Sequence, residues 1–197
     1  ARVLVAAGEV LSSGLDLTPK GREMSARLAD GVGVAIVGRG DHGAKLLAVR
    51  WYTDGALADR FWCEYPASYQ YPLRVNASDL AAGKQFPKAD LAGLAPIVPP
   101  RIAAVATEVM GEAGWSAGDV DLAIVDYVEP SVARAAAASA GVAADRVVVP
   151  TEEFGHVMAG GLVMTLAERA ATLAPGARVL LAAAGPGLAW GAAAIEI

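Results

Sequence analysis

Residues 121–126, Asp121-Leu122-Ala123-Ile124-Val125-Asp126, decide how this chain is read. Four apolar residues run without interruption between two carboxylates, which predicts a short strand of the kind buried on both faces in parallel sheets. Downstream the period changes. Pro130 opens an Ala-rich stretch that predicts a helix over 131–140, and Gly141 closes it. A β-branched run at 146–149 follows, then helical spacing over 157–173 that stops before Pro175-Gly176. Strands at 178–184 and 188–196 complete the chain, joined through Gly185-Pro186-Gly187. This β-α-β-α-β-β order predicts a mostly parallel sheet sandwiched by helices, with the last two strands as an antiparallel pair.

Upstream, apolar runs predict strands at 2–6, 32–38 and 46–52. Ile102, Val105, Val109 and Met110 fall at helical spacing and mark a helix over 100–113 that ends at Gly114. The span 53–99 is aromatic, Pro-rich and poorly periodic, with Phe61, Trp62, Tyr65, Tyr69 and Tyr71 set among Pro66, Pro72 and Pro87. Irregular inserts of this length often form lids or binding walls. The opening run Arg2-Val3-Leu4-Val5-Ala6, with no starting Met, reads as a strand needing neighbours on both sides, so the chain is expected to begin within a fold.

Composition narrows the function classes. With 197 residues and 55% hydrophobic content, the chain carries the material for one good-sized core. A net charge of −5 and only scattered Lys/Arg pairs leave no basic stripe for nucleic acid. No apolar run approaches a membrane span. The single cysteine, Cys63, forms no internal disulfide, and no charged-then-apolar leader precedes the first strand, so a reducing cytoplasm is the expected location.

Four segments together carry a resemblance. Asp30-Gly31-Val32-Gly33-Val34-Ala35, Asp121 to Asp126, Phe154-Gly155-His156-Val157-Met158-Ala159-Gly160-Gly161 and the Gly185 turn stand in the order and approximate spacing of the β-ketoacyl-ACP synthase III family. The resemblance covers nearly the whole chain and implies the layered α/β/α/β/α thiolase-like fold. It makes residues 1–45 the end of the N-terminal half and 46–197 the C-terminal half, with the insert at about 53–99. It also implies that the nucleophilic Cys, at a helix N-terminus of the first half, lies outside this sequence. A CoA or phosphopantetheine thioester is then the substrate, with no other cofactor and no metal. The expected partners are the segment or separate chain carrying the Cys, a homo- or heterodimer mate, and acyl-CoA or acyl carrier protein.

The resemblance also selects residues. The family's His position reads Asp126 and its Asn position reads His156, so the two partners look exchanged in type. In the family both donate hydrogen bonds to the thioester carbonyl and stabilise the enolate of decarboxylation. An ionised Asp126 only accepts, which disfavours that condensation. A His/Asp pair instead suits activation of a thiol, with His156 as base and Asp126 behind it. Pro186 stands where the family's glycine turn supplies an oxyanion N–H, and Pro has none, so the role would pass to Gly187. Plant-type chalcone synthases carry a similar Gly-Pro-Gly-Leu turn.

Plainer readings stand beside these. His156 as a structural histidine, Asp126 as a turn acid or helix cap, and the Gly185 turn as an ordinary hairpin all fit the local sequence. Tyr127 and Glu129 share the Asp126 loop and are weaker candidates. Lys20 and Arg22 fall near the family's CoA-binding arginine and suit a phosphate, or simply a solvated turn. Cys63 lacks an adjacent base or helix N-terminus and reads as packing or tunnel wall. His42, in an exposed hairpin tip, has no assigned chemistry. Two functions follow: acyl transfer with an external Cys, or a non-catalytic thiolase-fold subunit that completes a dimer and shapes a partner's tunnel.

Overall fold

A computed structural model describes residues 2–40, 43–65 and 76–197; His42, Pro66, Tyr69, Tyr71 and Pro72 lie outside the described residues. Strands β1 (Arg2–Val10) and β2 (Asp30–Gly38) pair antiparallel as a ribbon, with a single helical turn, α1 (Arg22–Ser25), between them. Strand β3 (Lys45–Thr53) leads into a span of short pieces: β4 (Phe61–Trp62), α2 (Ala77–Ala81), β5 (Lys88–Ala89) and α3 (Leu91–Leu94). The long helix α4 (Val98–Glu112) follows. Next come β6 (Leu122–Asp126), α5 (Pro130–Ser139), β7 (Val147–Val148), α6 (Pro150–Phe154) and α7 (Gly160–Ala170). The hairpin of β8 (Arg178–Gly185) and β9 (Ala189–Glu196) closes the order.

Five strands form the central sheet in the order β3-β9-β8-β6-β7. The contacts β6–β7 and β6–β8 are parallel, while β8–β9 and β3–β9 are antiparallel, so the sheet is evenly mixed where the sequence predicts a mostly parallel one. Strand β3 is the reason: it enters at the edge beside the hairpin and can pair only with β9. Helices α4 and α5 end as their sequences dictate. Gly114 (φ 73°) and Gly141 (φ 81°) take the left-handed conformation, and the next residue reaches back, Trp115 N–H to Met110 O at 2.8 Å and Val142 N–H to Ala137 O at 3.1 Å.

The main core lies between one sheet face and α4 with α5. Alanines 133, 136 and 137 of α5 and 182, 192 and 194 of the hairpin let these layers approach closely around Ile102, Val105, Val109 and Leu180. A smaller cluster, Leu122, Ile124 and Val179 with Leu162 and Leu166, sits between the other face and α7. The ribbon rests on α7 because β2 presents glycine there: a Cβ at Gly33 would come within 2.5 Å of Val163 Cβ. The helix expected from Val157 starts only at Gly160. Val157 is fully buried and Met158 takes a left-handed φ of 50°, so residues 157–159 form a turn before the helix.

The ribbon departs from the sequence expectation in its surroundings. A strand patterned for burial on both faces has one neighbour among the described residues, and Leu4, Val10, Val32 and Ile36 are each 65–70% exposed. Val49 and Trp51 of β3 are also exposed, at 39% and 73%. Burial of each such side chain is worth about 1.5–3 kcal/mol, so the surface favours association. Residues 1–197 expressed alone are expected to sediment as a mixture of associated species and to bind an apolar dye. A monodisperse monomer with a cooperative thermal transition would contradict this.

Tyr127 is fully buried, and its hydroxyl has no hydrogen-bond partner among the described residues. Burial, and secondarily the Glu129 carboxylate, push its phenol up to about 12. The neutral phenol is therefore favoured in the folded state. Its contribution is whole below the unfolded value of about 10 and is lost as pH rises towards 12. Tyr127→Phe deletes an unpaired polar atom. It is expected to leave stability at pH 7 unchanged or raised, and to move the alkaline loss of near-ultraviolet circular dichroism to higher pH. An alkaline midpoint identical to wild type would show that Tyr127 is not the group involved.

Candidate active site

Parallel pairing sets Ala123 beside Val147 and Ile124 beside Val148, so β6 and β7 end at the same sheet edge. Asp126 is the last residue of β6, and Thr151 lies in the first turn of α6 just beyond β7. Their side chains meet there: Thr151 Oγ1 is 2.7 Å from Asp126 Oδ1 and 3.0 Å from the carbonyl of Tyr127. Ligand sites of open α/β sheets form at such strand ends.

His156 reaches this edge by a short fixed path. Helix α6 ends at Gly155, whose φ of 77° turns the chain, and a Cβ there would lie 2.8 Å from Ala29 Cβ. The His156 backbone is then held by the segment before β2: its N–H donates to Arg27 O at 2.7 Å and its carbonyl accepts from Ala29 N–H at 3.0 Å. Arg27 is itself held by Glu129 on the Asp126 loop, at 2.7 Å. Glu129 thus ties the loops together and stands outside the cavity wall, as does Tyr127.

Imidazole and carboxylate face each other. His156 Nδ1 lies 3.6 Å from Asp126 Oδ2 and 3.3 Å from Thr151 Oγ1, and both His156 and Asp126 are 2% exposed. The first distance exceeds hydrogen-bonding range, and the second falls at its edge. Gly161, in the first turn of α7, comes so close that a Cβ would sit 3.0 Å from Asp126 Oδ2. The positive end of an 11-residue helix is therefore set against the carboxylate. His156 lines a cavity of about 480 Å³, and its Nε2 is buried and without a partner among the described residues.

That cavity is lined mainly by apolar groups, among them Leu11, Trp51, Met158, Leu162 and Trp190. Trp190 has two ring partners, Tyr52 stacked at 6.0 Å and the Arg101 guanidinium 4.6 Å from its ring centre. Arg101 is held by Asp54 at 2.6 Å, and this pair keeps the Asp54 carboxyl below its ordinary value. One rim of the cavity is the turn, through Gly185 and Pro186; Gly187 (φ 130°) is exposed and is not part of the wall.

The other sequence candidates lie elsewhere. Lys20 is exposed beside a second groove of about 550 Å³, together with Lys88, Asp16 and Asp90, and Arg22 is exposed at the start of α1. Neither reaches the His156 cavity. Cys63 Sγ sits 2.8 Å from Tyr65 O in the loop after β4, away from His156. Thr151 was not legible as a site residue, since Pro150-Thr151-Glu152-Glu153 reads as an ordinary helix start; its place at a parallel strand end beside Asp126 was the available signal. Among the described residues no cluster of His, Cys, Asp and Glu could hold a metal ion, and no helix is long and apolar enough to cross a membrane.

Comparison with known proteins agrees with this architecture. Residues 1–55 match the 3-oxoacyl-[acyl-carrier-protein] synthase III family, and residues 110–197 match the C-terminal model of the same family. A β-ketoacyl-[acyl-carrier-protein] synthase III of Streptomyces coelicolor is 31% identical over 198 residues, 98% of this chain and 58% of that protein. One from Nitratidesulfovibrio vulgaris is 29% identical, over all of this chain and 58% of the relative. The solved 3-oxoacyl-[acyl-carrier-protein] synthase III of Aquifex aeolicus shares the fold, with a TM-score of 0.82 at 23% identity over 100% of this chain and 58% of that one. The chain thus spans less than two thirds of the length of these relatives. Matched at both ends and carrying the thiolase-like fold between them, it belongs to the β-ketoacyl-ACP synthase III-like family.

Proposed function

We propose that the protein containing this chain transfers acyl groups from CoA or acyl-carrier-protein thioesters, with His156 as general base for a cysteine thiol that lies outside these residues. The observation that carries this reading is a buried, unpartnered Nε2 on a histidine that lines an apolar cavity, with Asp126 and Thr151 beside Nδ1. A lone pair at Nε2 takes the thiol proton; the thiolate attacks the thioester carbonyl and the departing thiol is reprotonated by the imidazolium. The acyl-enzyme then meets an alcohol or amine, whose proton His156 accepts in turn. The Leu11, Trp51 and Met158 walls suit an acyl chain. Asp126 accepts a hydrogen bond where decarboxylative condensation needs a donor, which favours transfer to oxygen or nitrogen over carbon–carbon bond formation.

In this reading the thioester is a substrate and no further cofactor takes part. Residues 1–45 and 46–197 belong to successive halves of a cytoplasmic enzyme that assembles as a dimer of complete units. A second reading, a non-catalytic subunit that shapes a partner's tunnel, is favoured by Pro186, which sits on the cavity rim and has no N–H to offer an oxyanion.

Single-turnover acylation of the complete protein, followed by intact mass, separates the two. His156→Ala is expected to lower the rate by about two to four orders of magnitude. Asp126→Asn is expected to lower it less, and the double variant is expected to be little worse than His156→Ala, because the groups act as one unit. Wild-type acylation in His156→Ala would support the tunnel-shaping reading and remove this chain from the chemistry.

A further inference from the structure

We propose that the Thr151 hydroxyl, and not direct contact, couples Asp126 to His156, fixing the imidazole with its proton on Nδ1 and its lone pair on Nε2. This makes Thr151 a positioning residue, and it rests on the reading of His156 as base.

The inference follows from counting protons. Thr151 has one hydroxyl hydrogen and three neighbours: Asp126 Oδ1 at 2.7 Å, Tyr127 O at 3.0 Å and His156 Nδ1 at 3.3 Å. A carboxylate is the stronger acceptor and is the nearest of the three. Among the described residues Asp126 has no other hydrogen-bond donor within range, so spending the hydrogen elsewhere would strand a carboxylate that is 2% exposed. With the hydrogen on Asp126, the Thr151 oxygen is left as an acceptor facing Nδ1. His156 then donates from Nδ1, since Asp126 Oδ2 at 3.6 Å is too distant to serve.

The opposite tautomer satisfies fewer groups. A proton on Nε2 would draw the Thr151 hydrogen to Nδ1, leave Asp126 Oδ1 without a donor, and place a buried N–H where no acceptor lies among the described residues. The chain His156 Nδ1–H, Thr151 O–H, Asp126 thus orients the ring and opposes the positive charge formed when Nε2 takes a proton. No proton has to reach Asp126 for this to work. Thr151→Val removes the hydroxyl at nearly constant shape, and Thr151→Ser keeps it.

The test reads the tautomer directly, from long-range proton–nitrogen correlations of the complete protein labelled with ¹⁵N-histidine at about pH 8.5, well above the ordinary imidazole value. A His42→Gln variant helps assign the His156 signals. Free histidine in water prefers the proton on Nε2, so the wild-type protein and Thr151→Ser are expected to show the reverse. Thr151→Val is expected to shift His156 towards the Nε2–H form. An Nε2–H ring in wild type or Thr151→Ser overturns the proposal, as does an unchanged Nδ1–H ring in a folded Thr151→Val, which would mean that Asp126 acts directly. Should Thr151→Val not fold, the wild-type and Thr151→Ser spectra decide. The acylation assay on His156→Ala is a separate readout, so an inactive or indifferent base and a misassigned hydroxyl give different results.

Discussion

A carboxylate held 2% exposed at the end of β6 constrains everything around it. Removing a charge from water is expensive unless the site returns hydrogen bonds and opposing charge. The surroundings of Asp126 can be understood as that return: a hydroxyl from the first turn of α6, the start of α7 brought close by Gly161, and an imidazole across 3.6 Å. Each of these also fixes a piece of backbone. Thr151 ties the end of β7 to the β6 loop, Gly161 sets how α7 lies on the sheet, and His156 anchors the segment before β2 through two backbone hydrogen bonds. The ribbon of β1 and β2 then rests on α7 through its glycines and carries Glu9 and Leu11 to the cavity.

The same arrangement shapes the chemistry. A histidine whose Nδ1 faces a hydroxyl and a carboxylate presents Nε2 in a defined direction, and here the residue lines an apolar cavity together with Trp190. Low polarity around Nε2 strengthens any interaction it makes with a thiol or thioester. The cavity rim supplied by Pro186 has the opposite character, since a proline can shape the entrance but cannot donate a hydrogen bond. Under the proposed function, an oxyanion would then need its donor from another residue than Pro186.

Much of the fold was legible because its elements are punctuated by residues with strong conformational preferences. Pro130, Gly114 and Gly141 set helix ends within one or two residues of those observed, and the uninterrupted run at 122–125 marked a strand buried by neighbours on both sides. What escaped was set by tertiary contact. Residues 157–159 have helical spacing, yet the burial of Val157 and the turn at Met158 delay the helix to Gly160. The span after β3 looked irregular because its elements are only two to six residues long, too short to show a period. Sheet order was beyond the pattern, since nothing in 46–52 states which strand it will join. At the site, Asp126 was readable from its place at a strand's C-terminal end and from family order and spacing, and His156 chiefly from the latter. Thr151 depends on which strands lie side by side, and the placement of Lys20 and Arg22 depends on a loop path with no sequence signature.

The central claim is that His156 Nε2 is aimed at a reacting sulfur, and the most direct measurement is a crystal structure of the complete protein with a non-hydrolysable thioester analogue bound. The account predicts a cysteine Sγ within hydrogen-bond reach of Nε2, about 3.5 Å, with the analogue's acyl chain between Trp51 and Trp190. A thiol beyond reach of Nε2, or an Nε2 packed against apolar side chains with the analogue bound elsewhere, would contradict it.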